Sequence, residues 1–225
     1  ELAWGSKVHF EDISRDSLQR ASRVDMAYAE AFGYSVKPLA LAQIQAEGIE
    51  ACVAPMLVEG EDMLASVQGA FNAVHVESQA LGPVMLYGQG AGGAPTASAV
   101  LSDTIEAARN ILRASHRRLP HMAFHEAKST INRLRPAEER KSPFYLRFSV
   151  EDEAGVLARL TGALGSRQVS VSRMVQEETE VANQVDIVML THEAREGDIV
   201  EALKAIDVHP FILNPSRFLR VAVPS

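Results

Sequence analysis

Tyr87-Gly88-Gln89-Gly90-Ala91-Gly92-Gly93-Ala94-Pro95-Thr96-Ala97-Ser98-Ala99-Val100 is the stretch on which the reading of this chain turns. Four glycines fall within residues 88–93, and Pro95 follows shortly after. Glycine removes side chains from the path of an approaching group and leaves backbone N–H donors accessible. Proline followed by Thr96 and Ala97 suits the first turn of a helix. The stretch therefore reads as strand, loop and helix N-terminus, an order that suits an anionic or polar group. Gly88, Gly90 and Gly93 satisfy the G-x-G-x-x-G spacing. The strand–helix–strand surroundings and the matched acidic residue of a dinucleotide fingerprint are not evident, and no Lys-Ser/Thr ends the loop as in a P-loop. On the residues alone, a ligand loop and a tight packing of helix on sheet stand as equal alternatives.

Downstream of the loop, Val100, Leu101, Ile105, Ala108, Ile111 and Leu112 recur at helical spacing and predict one buried face. Asp103, Glu106 and Arg109 fall on its solvated side. Upstream, residues 50–58 and 70–77 read as strands, with Pro55 marking an edge or an interruption. Residues 81–87 form the next strand, in a hairpin with the second of these across Ser78-Gln79-Ala80. Residues 1–42 are expected to be mostly helical. Within them Ser22 and Asp25 imitate a capping box ahead of Met26, Ala29 and Phe32, and Gly33 is a natural stop. Met26, Phe32, Phe71 and Met85 are assigned to the core.

Past residue 112 the texture becomes polar, and residues 116–142 read as a linker of mixed charge. Residues 143–225 form a second unit. Phe144–Val150 alternates as a strand, and Val156, Leu157, Leu160 and Leu164 mark an amphipathic helix. Val169, Val171 and Val175 mark a strand, and Val185–Leu190 a more continuous one. Ile199, Leu203 and Ile206 mark a second helix, and Phe218, Leu219, Val221 and Val223 a closing strand. The order β-α-β-β-α-β is the ferredoxin-like plan. Gly155 either makes a tight turn or opens helix N–H groups to a carboxylate.

Composition narrows the function classes. Hydrophobic residues at 47% and charged ones at 23% exclude disorder and indicate a globular fold. A net charge of -7 argues against a nucleic-acid partner. The single Cys52 excludes an intrachain disulfide framework and fits a reducing, cytoplasmic compartment. No apolar run approaches a membrane span. His121 and His125 lie four apart, but Glu126 follows the second, so the H-E-x-x-H pattern is missing and no metal site is expected. No G-x-S-x-G elbow occurs.

The glycine stretch resembles the signature of homoserine dehydrogenases, tyrosine-glycine-x-glycine-alanine-glycine-x-x-proline-threonine-alanine-serine-alanine-valine. Asp25-Met26-Ala27-Tyr28-Ala29, Gly33-Tyr34-Ser35-Val36-Lys37 and Phe71-Asn72-Ala73-Val74 resemble further elements of that family. Asp152-Glu153-Ala154-Gly155-Val156-Leu157 resembles the turn of an ACT domain. The resemblance implies an α+β fold: a partial catalytic domain of mixed sheet and helices over residues 1–115, then a ferredoxin-like ACT domain. It implies NADP or NAD as cofactor, homoserine or aspartate semialdehyde as substrate, a homo-oligomer and an amino-acid effector such as threonine. It places the cofactor at Gly90, with Gly88, Ala91 and Gly92 around it, and the effector at Asp152, Ala154, Gly155 and Val156.

The family's catalytic run, with its lysine, has no counterpart here, and neither Lys7 nor Lys37 matches it. Glu1-Leu2-Ala3-Trp4-Gly5 resembles the helix after that lysine. No catalytic residue is therefore assigned, and the chain alone is expected to be inactive. A non-enzymatic amino-acid-binding module is the alternative. Asp16-Ser17-Leu18, Glu77-Ser78-Gln79 and the residues Cys52, Ala54 and Met56 depart from the family's pattern.

Overall fold

The computed structural model describes residues 3–45, 47–115, 133–179 and 181–223. Its first elements are β1 (Ser14–Arg15), α1 (Arg23–Ala31), β2 (Tyr34–Gln45) and β3 (Gly48–Glu59). Next come β4 (Phe71–Ser78), β5 (Gly82–Gln89) and α2 (Gly93–Leu112). The remainder is β6 (Lys141–Ser142), β7 (Phe144–Glu151), α3 (Val156–Ser166), β8 (Val171–Glu178), β9 (Gln184–Thr191), β10 (Ala194–Arg195), α4 (Glu196–Ile206) and β11 (Ile212–Val221). The fold is α+β. Two compact units gather these elements: one holds β4, β5 and α2, the other everything else.

The larger unit is built on a seven-stranded sheet in the order β1-β3-β11-β7-β9-β8, with β2 on the remaining edge of β3. β2 and β3 pair antiparallel along twelve residues, from Tyr34↔Glu59 to Gln45↔Gly48. The other edge of β3 is shared by two parallel partners, β1 at Cys52 and Val53 and β11 at Met56 and Leu57. Pro55 falls between those partners, where no ladder hydrogen bond is asked of it. The edge or interruption read from Pro55 is corrected: β3 runs unbroken through it as an interior strand, and only the partner along that edge changes. The expectation of a mostly helical start is corrected. Only α1 is an α-helix there, and Tyr34, Val36, Leu39 and Leu41 run as a strand instead, the first two on one face and the last two on the other.

Period-two alternation gives this sheet two apolar faces. On one, Phe144, Leu146, Phe148, Val185, Ile187 and Met189 pack against Leu160 and Leu164 of α3 and Ile199 and Leu203 of α4. On the other, Tyr145, Val188, Leu190, Leu219 and Val221 meet Ala29 of α1 and Leu57 of β3, with Phe32, Tyr34 and Val36 alongside. The β-α-β-β-α-β unit is therefore covered on its second face by segments from far upstream. Asp25 and Ala29, one turn apart, are the residues α1 buries. Met26 is 49% exposed, so its assignment to the core is corrected.

In the smaller unit β4 and β5 form the expected hairpin, from Phe71↔Gln89 to Ser78↔Gly82. Phe71 and Tyr87 stack with centroids 4.9 Å apart, but Phe71 stays 37% exposed and is not core. The predicted stripe on α2 is present, yet the helix buries no residue. Val100, Leu101, Ile105, Ile111 and Leu112 are all at least half exposed. Their spacing was read correctly as a face; the expectation that it is buried is corrected. The histidine pair His121 and His125, and residues 116–132 of the expected linker, lie outside the described residues.

Candidate functional site

The first candidate is the loop between β5 and α2. Gly88, one residue before the end of β5, lies directly across from Asn72, so the two share one face of the hairpin. Gly90 donates its N–H to the Ala70 carbonyl at 3.0 Å, adding one rung beyond the strands. A methyl group on Gly90 would lie 1.6 Å from Asn72 Nδ2 and 2.6 Å from its Cγ. Ala91 occupies the bend that follows, and Gly92 caps α2 with φ of 129°, a conformation L side chains rarely adopt. No side chain caps the helix. Added carbons at Gly88 and Gly93 would meet nothing within 4 Å. The loop thus offers open backbone and uncapped helix amides, a cradle suited to the polar part of a nucleotide. The same hairpin face carries Val74, Val76, Val84 and Leu86, each between 41% and 65% exposed.

The second candidate lies in the larger unit. A cavity of about 410 Å³ is lined by Glu151, Asp152, Glu153, Ala154, Gly155, Val156 and Leu157, with Val150, Val185, Ile187 and Gln176 completing it. All four expected effector residues are brought together here. Gly155 has φ of 92° and ψ of -8°, the left-handed turn that lets β7 feed α3 without a side-chain cap. The Asp152 N–H is taken by the Asn183 carbonyl at 3.0 Å, which fixes the turn's entry. Walls of mixed polar and apolar character, with open helix amides, would accept a small zwitterion, carboxylate toward the helix start. Gln176 and the floor from β9 were missed by sequence reading. A hint was present in Val185 and Ile187, which alternate with Asp186.

On the opposite face of β7 and β9 lies a buried polar network. Asp25 accepts from Arg147 Nε at 2.6 Å, from Tyr145 Oη at 3.0 Å and from Ser22 Oγ at 2.6 Å. Ser22 and Asp25 form the reciprocal capping box of α1, as expected. Burial pushes the Asp25 carboxyl up, but the hydrogen bonds from Arg147 and Ser22 outweigh it and hold its pKa below the ordinary 3.8. Asp186 accepts from Ser149 at 2.6 Å and lies 3.5 Å from Arg147. Burial, with the charges of Asp186 and Glu177, raises the Tyr28 phenol to about 12. A second cluster joins Arg220 to Glu196 through Nε at 2.8 Å and Nη2 at 2.5 Å, and to Asp16 at 2.7 Å. Asp16, one of the residues that depart from the family's pattern, is thereby an anchor for β11. Cys52 is buried, and burial raises its thiol pKa, which disfavours the reactive thiolate. Among the described residues no group of three His, Cys, Asp or Glu could hold a metal ion. No described helix is long and apolar enough to cross a membrane.

The two sites belong to two classes of protein. The ferredoxin-like unit with its glycine turn and cavity is an ACT domain, and the ACT family model matches residues 144–208. Residues 1–105 match the homoserine dehydrogenase family model and belong to that family. A homoserine dehydrogenase from Neisseria gonorrhoeae is 34% identical over 220 residues, which is 98% of this chain and 51% of the relative. One from Pseudomonas aeruginosa is 31% identical, again over 98% of this chain and 51% of the relative. The crystal structure of a homoserine dehydrogenase from Thiobacillus denitrificans superposes with a TM-score of 0.85 at 34% identity, covering 98% of this chain and 50% of that one. The chain spans about half the length of the relatives it matches.

Proposed function

We propose that this chain is the C-terminal portion of a homoserine dehydrogenase, interconverting L-aspartate 4-semialdehyde and L-homoserine with NADP or NAD once joined to a nicotinamide-binding half. Such an activity belongs to the biosynthesis of threonine, methionine and isoleucine, in the cytoplasm. The cofactor supplies hydride exchange with the carbonyl carbon. This chain supplies the loop at Gly88, Gly90, Ala91 and Gly92 that supports the cofactor. The observation that carries the reading is the pairing of that loop with an uncovered apolar surface. Val74, Val76, Val84 and Leu86 on the hairpin, and Val100, Leu101 and Ile105 on α2, stay exposed on elements that bury no side chain. Patches of this kind mark an interaction surface. The relatives' additional half is the occupant it fits. A free-standing amino-acid sensor has no use for such a surface, which disfavours the non-enzymatic alternative.

The ACT cavity is proposed to bind an amino-acid effector, with L-threonine the first to try, in a homo-oligomer. Asp152, Ala154, Gly155 and Val156 would hold its polar end. Two measurements test these readings. The purified chain is expected to show no homoserine-dependent reduction of NAD(P), and to gain it when co-expressed with the nicotinamide-binding half of a relative. Activity of the chain alone, or none in the assembly, rejects the first reading. Calorimetry is expected to show threonine binding that Gly155→Asn weakens. Asparagine tolerates the left-handed turn better than leucine would, so the loss reports the site rather than strain.

A further inference from the structure

We infer that Asn72 is a cofactor-positioning residue of the glycine loop: its carboxamide pairs with the carboxamide of the nicotinamide ring, and Gly90 is glycine to make room for Asn72. This role presupposes the nicotinamide-cofactor reading above. The four glycines separate by what each requires. Gly92 needs its backbone conformation, with φ of 129°. Gly90 needs its bare Cα, because Asn72 Nδ2 sits where a side chain would begin, 1.6 Å from an added carbon. Gly88 and Gly93 need neither, since nothing lies within 4 Å and neither has a positive φ. Space is therefore kept at Gly88 and Gly93, and Gly90 is filled by a side chain of the protein itself.

Asn72 is the polar group bordering that space. It faces Gly88 across the hairpin, so no side chain flanks it on the opposing strand. Its carboxamide makes no hydrogen bond among the described residues and is exposed. It offers two N–H donors and one acceptor. A ligand group that both donates and accepts satisfies it fully, and the primary amide on a nicotinamide ring is such a group. Val74 and Leu86, the next pair on the same face, continue it as an apolar wall.

The test uses Asn72→Ala, Gly90→Ala and the double variant, both in the chain and in its assembly with a nicotinamide-binding half. In the chain, Gly90→Ala is expected to lower the melting temperature and the double variant to restore it. If Gly90→Ala is silent, or Asn72→Ala does not relieve it, the packing of Asn72 over Gly90 is wrong and the inference falls. In the assembly, Asn72→Ala is expected to weaken NAD(P) binding about tenfold, the scale of one good hydrogen-bonded contact. It should weaken binding of the 3-acetylpyridine analogue by a smaller factor, because that analogue keeps the carbonyl that accepts from Asn72 but lacks the amide N–H that donates to it. Gly90→Ala should weaken cofactor binding in the wild-type background and have no further effect beside Asn72→Ala. Equal cofactor affinity with and without Asn72, or an undiminished Gly90→Ala effect in the double variant, overturns the assignment. Absence of cofactor binding by the unsubstituted assembly rejects the cofactor reading itself, and the Asn72 role with it.

Discussion

The larger unit is covered on both faces of its sheet, while the hairpin and α2 of the smaller unit bury nothing. Both regions have the same sequence grammar, apolar residues at strand or helical spacing. In the larger unit that grammar is completed inside the chain: α3 and α4 on one face, α1 and β2 on the other. In the smaller unit the stripe of α2 and the face of Val74, Val76, Val84 and Leu86 are written but not covered. Burial thus distinguishes a region whose apolar faces are covered within the chain from one whose apolar faces stay exposed.

The sharpest way to break that contrast is to remove the upstream cover. A fragment of residues 143–225 would expose Tyr145, Val188, Leu190, Leu219 and Val221, all buried in the chain. Each such side chain is worth roughly 1.5–3 kcal/mol when buried. Their sum rivals the whole stability of a small domain, about 5–15 kcal/mol. The fragment is expected to be unfolded or associated, by circular dichroism and gel filtration. A well-folded monomer would show that the second face needs no cover.

Next comes Arg220→Met, which leaves Glu196 and Asp16 without their shared cation. Breaking a buried pair in this way is expected to cost about 3 kcal/mol in denaturant unfolding. Asp25→Asn is expected to cost somewhat less, because Arg147 keeps Asp186 at 3.5 Å and its bond to Ser149.

Asp25 also predicts a pH dependence. Its folded pKa lies below 3.8, so its contribution is fully present above that value and is lost as pH falls through the lower folded pKa. Unfolding midpoints followed downward from pH 5 should decline, and the decline should be shallower in Asp25→Asn. Parallel curves would mean that other carboxylates govern acid unfolding. The smallest effect is expected on the uncovered region. Val74→Asp and Leu86→Asp should change the chain's own stability by no more than about 0.5 kcal/mol. Both should abolish assembly with a nicotinamide-binding half in a pull-down. A large loss of stability instead would mean that this face is already covered.

How much of this was legible depended on distance along the chain. The ACT order was readable because each of its elements carries its own apolar period. The capping box was readable because Ser22 and Asp25 are three residues apart. The partner that makes Asp25 matter, Arg147, lies 122 residues away, and no local pattern announces that pairing. Residues 34–42 were placed in a mostly helical region even though Gly33 reads as a helix stop, because the apolar residues of that stretch change face between Val36 and Leu39 and give no clean strand period. The α2 stripe was legible as a face, but amphipathicity does not say whether or by what that face is covered. Asn72 went unnoticed because its significance lies in a backbone position eighteen residues on, at Gly90.

The placement of β11 has a consequence for how the protein is made. β11 lies between β3 and β7, with Arg220 beside Met56 on one edge and Phe144 on the other. On a ribosome, β2 and β3 emerge early and can zip together at once, as can the β4–β5 hairpin, because those pairings are local. The sheet of the larger unit cannot close until β11 has left the exit tunnel. Pairings this distant carry a loop-closure cost before any contact repays it, and they slow folding. Until then β3 presents an open edge at Met56 and Leu57, the kind of edge that invites pairing with a neighbouring chain. The last strand described is therefore also the latch of the unit, and the nascent chain is most vulnerable in the interval before it arrives.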